Sequence, residues 1–343
     1  MIVLGIETTC DETSCSLVRD GHEILSNIIA SQIELHRPFG GIFPELACRM
    51  HLDMIIPVLK DAMASAGVTK EGIDLVAVAK GPGLIGALLI GLNAAKALSL
   101  AWQIPFVGVN HVEAHLYAAM MGSIKPLFPA LGVVISGGHT FMVKMQKIGV
   151  YELIGTTQDD AIGEAFDKVA SMLGLPYPGG PAIEALAKQG DCKRFPFRAG
   201  KVKGQPWDFS FSGLKTNVLY TLKGPNAERN APLKIREEQK ADIAASFQEA
   251  ALSDIVDKAL LAAGTFGCKS LIFGGGVSNN QRLRALFAEK KNTFPLFFPP
   301  PSLTVDNAAM IAGLGFHDYH HQGHGDPLDL EPMTRIPLGV IQN

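Results

Sequence analysis

The chain opens the same way twice, and this repeat constrains the fold more than any other feature. Residues 2–7, 15–19 and 23–30 read as strands, joined by a polar turn at 8–13 and by Asp20-Gly21, a hairpin signal. Residues 44–66 follow as a helix, with Leu46, Met50, Met54 and Leu59 recurring near helical spacing. Then 73–79 reads as a buried strand, 84–102 as a helix, 106–109 as a strand, and the run from His111 as a helix. The pattern restarts with strands at 131–136, 140–145 and 151–155, the first two joined by Gly137-Gly138. Helices at 161–173, 241–262, 280–290 and 307–318 alternate with strands at 270–273 and 295–298. A repeat on the half-chain scale predicts a duplicated α/β architecture. A length of 343 residues is enough for two domains. They are placed at 1–125 and 126–343, with an insert at about 175–240 in the second.

Chemistry-bearing residues collect at the turns. His111 and His115 lie four apart in a helix pattern, so they share a face and can grip one metal ion with a third ligand from elsewhere. A hydrogen-bonded surface pair is the alternative. The spacing is not the His-Glu-x-x-His of zinc proteases: Glu113 lies about 200° round the helix from His111, which removes the general base of a peptidase. Asp306 reads either as an N-cap of the last helix or as the oxygen ligand that completes a two-histidine, one-carboxylate set. Asp11 and Glu12 are adjacent carboxylates suited to a bridging cation, an amine substrate or a proton transfer. The second turn, Ser136-Gly137-Gly138-His139-Thr140, lets backbone approach a ligand and forms a nest for an anion. Facing each other, the two turns would make a nucleotide clamp. A third Gly-rich stretch, Gly274-Gly275-Gly276-Val277-Ser278-Asn279-Asn280, puts Asn280 at a helix N-terminus that favours an anion or a polar ligand edge. No Gly-Lys-Ser/Thr follows it, so a Walker-type ATPase is disfavoured.

Charge is uneven along the chain. A net charge of −3 gives no global attraction to nucleic acid. Residues 193–240, however, carry eleven Lys/Arg against four Asp/Glu, interleaved with Phe195, Phe197, Trp207, Phe209, Phe211 and Tyr220. Aromatic platforms beside phosphate-neutralising cations suit RNA, although a small core under a solvated basic surface would look the same. Five scattered cysteines without Cys-x-x-Cys argue against a disulfide framework and a zinc ribbon, and fit a reducing cytosol. The apolar run 84–102 carries Asn93 and Lys96 and reads as a buried helix rather than a membrane span. With no basic leader at its start, the chain is expected to be cytoplasmic and free of membrane. His317, His320, His321 and His324 read as a solvated tail.

Eight stretches in order carry a resemblance: Gly5-Ile6-Glu7-Thr8-Thr9-Cys10-Asp11-Glu12-Thr13, Gly81-Pro82-Gly83-Leu84, His111-Val112-Glu113-Ala114-His115, Ser136-Gly137-Gly138-His139-Thr140, Gly163-Glu164-Ala165-Phe166-Asp167-Lys168, Tyr177-Pro178-Gly179-Gly180-Pro181, Phe209-Ser210-Phe211-Ser212-Gly213-Leu214-Lys215-Thr216 and Gly275-Gly276-Val277-Ser278-Asn279-Asn280. Nearly end to end, the chain resembles the bacterial TsaD proteins, also called YgjD or Gcp, which are tRNA adenosine threonylcarbamoyltransferases. The resemblance implies the actin-like ATPase fold of actin, hexokinase and the heat-shock ATPases, with two lobes around a central nucleotide cleft. It implies transfer of the threonylcarbamoyl group of threonylcarbamoyl-AMP to N6 of adenosine-37 in tRNAs that read codons beginning with A, with release of AMP. It makes His111, His115 and Asp306 the ligands of one divalent ion, iron favoured over zinc. It assigns Val134, Ile135, Ser136, Gly137, Gly138, Asp167, Gly180 and Asn280 to the adenylate, and puts Glu184 where the family often has a ribose-reading Asp. Asp11 and Glu12 match residues needed for activity. The implied partners are tRNA, a paralogous TsaB-like subunit and a TsaE-like P-loop ATPase. A sugar kinase of the same fold, a silent scaffold and a metallopeptidase are the rival readings.

Overall fold

A computed structural model describes residues 1–122, 124–225, 232, 234–290 and 293–336. Short 3-10 turns aside, the elements in order are β1 (Ile2–Glu7), β2 (Glu12–Arg19), β3 (Glu23–Ser31), α1 (Ile33–His36), α2 (Pro44–Ala66), β4 (Leu75–Gly81), α3 (Ile85–Trp102), β5 (Phe106–Asn110), α4 (His111–Ala118), β6 (Ala130–Ile135), β7 (Thr140–Lys147), β8 (Val150–Thr156), α5 (Ile162–Met172), α6 (Gly179–Ala187), α7 (Ser212–Lys223), α8 (Gln239–Thr265), β9 (Ser270–Gly274), α9 (Gln281–Glu289), β10 (Leu296–Phe297) and α10 (Ala308–Gln322).

The duplication holds strand for strand. One five-stranded sheet runs β3-β2-β1-β4-β5 and the other β8-β7-β6-β9-β10. β1 pairs antiparallel with β2 and parallel with β4; β6 pairs antiparallel with β7 and parallel with β9. The central strands are buried on both faces, as strands that bear parallel neighbours and helical layers must be. The first hairpin turns at Asp20 and Gly21, both with positive φ (51° and 75°), which matches the twist of the flanking strands.

The chain forms two compact units. The first holds Met1–Pro126, Gln146–Tyr151 and Pro299–Asn343; the second holds Leu127–Met145 and Glu152–Phe298. The expected second domain, 126–343, is therefore corrected at its end, because 299–343 returns to the first unit. The cause is apolar burial: Ala308, Ala309, Met310, Ile311, Ala312 and Leu314 of α10 are buried, and the helix lies on β1, β2, β4 and β5. Glycine at position 5 permits this, since a Cβ there would stand 2.1 Å from the Ala308 carbonyl oxygen.

Two more expectations change. The stretch 175–240 contains α6 and α7, and Phe209, Phe211, Leu214, Val218 and Leu222 join the second unit's core; residues 226–231 and 233 of it lie outside the described residues. Helix α3 is long and apolar enough to cross a membrane by composition, but one face (Ala87, Leu88, Gly91, Leu92, Ala95) is buried while Ile85, Leu89 and Leu100 are exposed. It packs on β4 and α2, so it is half-buried rather than buried.

Candidate functional site

In the first unit, imidazoles and acids gather at the ends of β1 and β5. The Asn110 side chain accepts hydrogen bonds from the Val112 and Glu113 amides, and this cap starts α4 at His111. Helical phase then sets His111 beside His115, with ring centroids 4.7 Å apart and planes at 75°. Asp306 arrives from the far end of the sequence. Its Oδ1 lies 3.1 Å from His115 Nε2 and 3.5 Å from His111 Nε2. One donor atom from each of the three lies within 4.8 Å of the other two. The contact between Gly5 and α10 fixes this approach, and the Ala308 amide donates to Ser14 Oγ at 2.9 Å. The N-cap reading of Asp306 is corrected: Asn307 caps α10 by accepting from the Met310 amide at 3.1 Å.

Glu7 is the site residue to which sequence reasoning gave no role. Its Oε2 accepts from His111 Nδ1 at 2.9 Å, and its Oε1 accepts from the Thr9 amide at 2.6 Å. A proton held on Nδ1 leaves Nε2 to face Asp306 and His115, the orientation that a metal-ligating histidine needs. The available signal was an acid closing an otherwise apolar strand. Burial opposes charge on the His111 ring, but the Glu7 and Asp306 carboxylates outweigh it and push its pKa up to about 9. Two imidazole nitrogens and one carboxylate oxygen form a donor set that fits a divalent ion, which would displace the second proton, the one on His111 Nε2, on binding. His115 Nδ1 is buried without a hydrogen-bond partner among the described residues.

Asp11 and Glu12 are both buried beside this group. Ser31 Oγ donates to Glu12 Oε1 at 3.1 Å. Burial first, then the charges of Asp306 and Asp11, raise the Glu12 pKa well above the carboxylate range. The Cys10 thiol is raised by burial and by the charges of Asp11, Asp306 and Glu12. The turn is pinned from outside. His51 Nε2 donates to the Cys10 carbonyl at 3.0 Å while its Nδ1 accepts from Thr13 Oγ1 at 2.8 Å. Glu113 stands outside the trio: Asn110 Nδ2 donates to it at 3.3 Å, and burial with the Asp318 charge pushes its pKa up to about 7. In the tail, His317 meets the Tyr117 hydroxyl at 2.9 Å, and His320 and His324 bond backbone carbonyls.

The second unit carries the glycine turns. Val134 and Ile135 end β6, and Ser136 closes the turn: its amide donates to the His139 carbonyl at 2.8 Å and its Oγ accepts from the His139 amide at 3.1 Å. Gly137 and Gly138 are exposed, a Cβ on either would meet open space, and their amides meet no acceptor among the described residues. Gly275 (φ +89°) lies against this turn, since a Cβ there would stand 2.6 Å from the Ile135 carbonyl oxygen. On α5, Asp167 Oδ1 accepts from the Gly179 amide at 2.7 Å, which seats Gly180 at the start of α6. Glu184 on α6 accepts from the Gln281 amide at 2.8 Å, at the first turn of α9. Asn280 caps that helix by accepting from the Leu283 amide at 3.1 Å, and it donates to Gln248 Oε1 at 2.8 Å. Gln248 carried no sequence signal. These contacts link the expected adenylate residues into one connected group.

A model of the TsaD family, described as tRNA N6-adenosine threonylcarbamoyltransferase, matches residues 23–313. The chain is 62% identical to the tRNA N6-adenosine threonylcarbamoyltransferase of Protochlamydia amoebophila over the whole of both chains. It is 53% identical to that of Chlamydia trachomatis over 94% of this chain and 95% of the relative. Among solved structures it is similar to HypF of T. kodakarensis, with TM-score 0.61 and 14% identity over 96% of this chain and 49% of HypF. It is also similar to (R)-2-hydroxyglutaryl-CoA dehydratase component A of Acidaminococcus fermentans, with TM-score 0.51 and 13% identity over 93% and 99% of the two chains. At those identities the structures speak to the fold alone, which is the actin-like ATPase fold.

Proposed function

This chain belongs to the TsaD family of tRNA N6-adenosine threonylcarbamoyltransferases, and from that premise we propose that it transfers the threonylcarbamoyl group of threonylcarbamoyl-AMP to N6 of adenosine-37 in tRNAs reading codons that begin with A. The observation that carries the reading is the convergence of His111, His115 and Asp306. A divalent ion held there, iron favoured over zinc, would supply Lewis-acid polarisation of the carbamoyl oxygen.

N6 attacks the carbamoyl carbon, the bond from that carbon to the phosphate oxygen breaks, and AMP leaves with the electron pair. An aromatic amine is a weak nucleophile, so orientation and charge stabilisation must supply most of the rate. Glu12 takes the N6 proton. Burial, with the charges of Asp306 and Asp11, raises its pKa above the ordinary carboxylate value, which makes it a stronger proton acceptor. Asp11 keeps it there through its charge. The Gly137 and Gly138 amides face the phosphate of the adenylate as an anion nest, next to Val134, Ile135 and Ser136. Asp167 seats Gly180, and Asn280 and Glu184 at the start of α9 receive the nucleoside.

Exposed Leu52, Ile56, Ile85 and Leu89 on the packed pair α2 and α3 suit a protein partner, for which a TsaB-like subunit is the candidate. A TsaE-like P-loop ATPase would help complete the cycle. All five cysteines are free thiols, which supports a reducing cytoplasm as the place of action.

The test is incubation with unmodified tRNA and threonylcarbamoyl-AMP, with and without both partners, followed by mass analysis of nucleosides and AMP. One AMP per modified adenosine is expected. No modified nucleoside in any combination would overturn the reading, and phosphorylation of a sugar from ATP would mark a kinase instead.

A further inference from the structure

We propose that the loop at residues 193–203 of the second unit is the surface on which the phosphate backbone of the tRNA docks; this rests on the tRNA reading above and adds a location to it. Lys193, Arg194, Arg198, Lys201 and Lys203 are all exposed. None enters an ion pair among the described residues. On the neighbouring helix α8, Glu249 pairs with Arg282, Asp254 with Lys258 and Asp257 with Lys290, while Asp242 accepts from the Asp191 amide and the Lys201 charge also acts on Asp254. Five exposed cations in eleven residues, none in an ion pair among the described residues, stand out in a chain whose net charge is −3.

The loop has no helix or strand, yet it is fixed. The Phe195 amide donates to Ser246 Oγ at 3.2 Å, and the Asp191 amide donates to Asp242 Oδ1 at 2.8 Å. Phe195 and Phe197 stack at 5.7 Å with planes 13° apart and pack on the second unit's core. The charges therefore sit on a preorganised platform, which lowers the ordering cost of binding. Half-buried stacked rings among cations favour nucleic acid over an acidic protein, because bases stack on aromatic faces while phosphates pair with the charges.

The platform is also braced to the glycine turn. The Gly200 amide donates to the Ser210 carbonyl at 3.0 Å, and Ser210 Oγ donates to Asp159 Oδ2 at 2.6 Å. Asp159 also accepts from the Phe211 and Ser212 amides at 2.8 and 3.2 Å. It lies just before α5, where a Cβ on Gly163 would stand 2.6 Å from the Ser136 carbonyl oxygen. A strand docked on the loop is thereby held in a fixed relation to the turn assigned to the adenylate.

The test compares the wild-type chain with an Arg194→Ala/Arg198→Ala/Lys201→Ala variant, measuring the Kd for unmodified tRNA across a salt series. Each lost phosphate contact lowers the slope of log K against log salt by about 0.7–0.9. The variant should bind at least about tenfold more weakly at moderate salt, with a slope reduced by about 2. Its AMP affinity, metal content and thermal midpoint should match the wild type. A Lys193→Glu/Lys203→Glu variant gives a second measurement at two further exposed positions. Kd and slope within twofold of wild type in both variants would overturn the proposal. So would unchanged tRNA binding together with lost affinity for an acidic protein subunit. A wild-type chain that binds tRNA but never modifies it would sink the transfer reading and leave this comparison intact.

Discussion

The turn after β1 and the turn after β6 occupy the same place in two matching sheets, yet their electrostatics are opposite. The first is buried and acid-rich: Glu7, Asp11 and Glu12 stand close to Asp306 and the two histidines. The second is exposed, has no acid in Ser136-Gly137-Gly138, and leaves two amides unspent. A common strand–turn–strand frame thus presents clustered acids and imidazoles in one unit and open backbone amides in the other. Duplication preserved position and released the chemistry.

That division of labour can be broken most sharply at the ligands. His115→Ala or Asp306→Ala should strip the ion, seen by elemental analysis, and lower tRNA modification by on the order of 10³-fold, since Lewis-acid polarisation supplies several kcal/mol. AMP affinity should stay unchanged. Wild-type turnover in both variants would end the metal role; a parallel loss of AMP affinity would end the separation of the two turns.

Glu7→Gln should have the next largest effect. Glutamine fills the same space and keeps an acceptor for His111 Nδ1, but it removes the charge. Metal affinity should fall about 10–100-fold, the usual cost of disturbing an outer-shell partner. The d–d spectrum of the cobalt-substituted chain should shift, because ring basicity changes at the metal; a residue that only filled space would leave the spectrum alone. On the opposite turn, Gly138→Val places a branched side chain where the anion would sit. It should weaken AMP about tenfold, near the value of one lost hydrogen bond, with metal content intact.

The sequence made these frames legible where chemistry is local. Asp20-Gly21, the apolar runs of β1 and β4, and the four-residue spacing of His111 and His115 depend only on neighbours, and each element formed close to where its pattern lay. Long-range partnership was harder to read. Glu7 and His111 are 104 residues apart, and nothing in a linear pattern pairs a strand-end acid with a particular ring. The return of α10 to the first sheet turned on a missing Cβ at Gly5. Helix α6 was hidden because Gly179-Gly180-Pro181 reads as a turn, although proline is tolerated in a first helical turn, where its missing N–H has no partner to lose. Asp306 has the residue type of an N-cap, but so does its neighbour Asn307. Only the backbone showed that Asn307 takes that role.

The smallest expected effect tests whether the acid-rich unit accounts for the pH response of stability in the metal-free chain. Burial pushes the Asp318 carboxyl up to about 7, with Lys80 opposing and Asp326 adding to the shift. Its ordinary value is 3.8. Between those values the folded chain binds more protons than the unfolded one, so stability falls as pH rises from about 4 to about 7. Glu113, raised to about 7 by burial and by Asp318, acts in the same direction. His111 works in a different window. Its folded pKa of about 9 exceeds the ordinary 6.5, so its contribution is complete below 6.5 and is lost as pH rises through 9. Asp318→Asn should therefore flatten the lower window and leave the upper one in place. Each tenfold change in proton affinity is worth about 1.4 kcal/mol, and relaxation around the site should reduce the visible gain at pH 7 to about 1 kcal/mol. Denaturant midpoints of the chelator-treated protein at pH 5, 7 and 9 decide the matter. A variant whose lower window matches wild type would move the pH response away from this carboxyl pair.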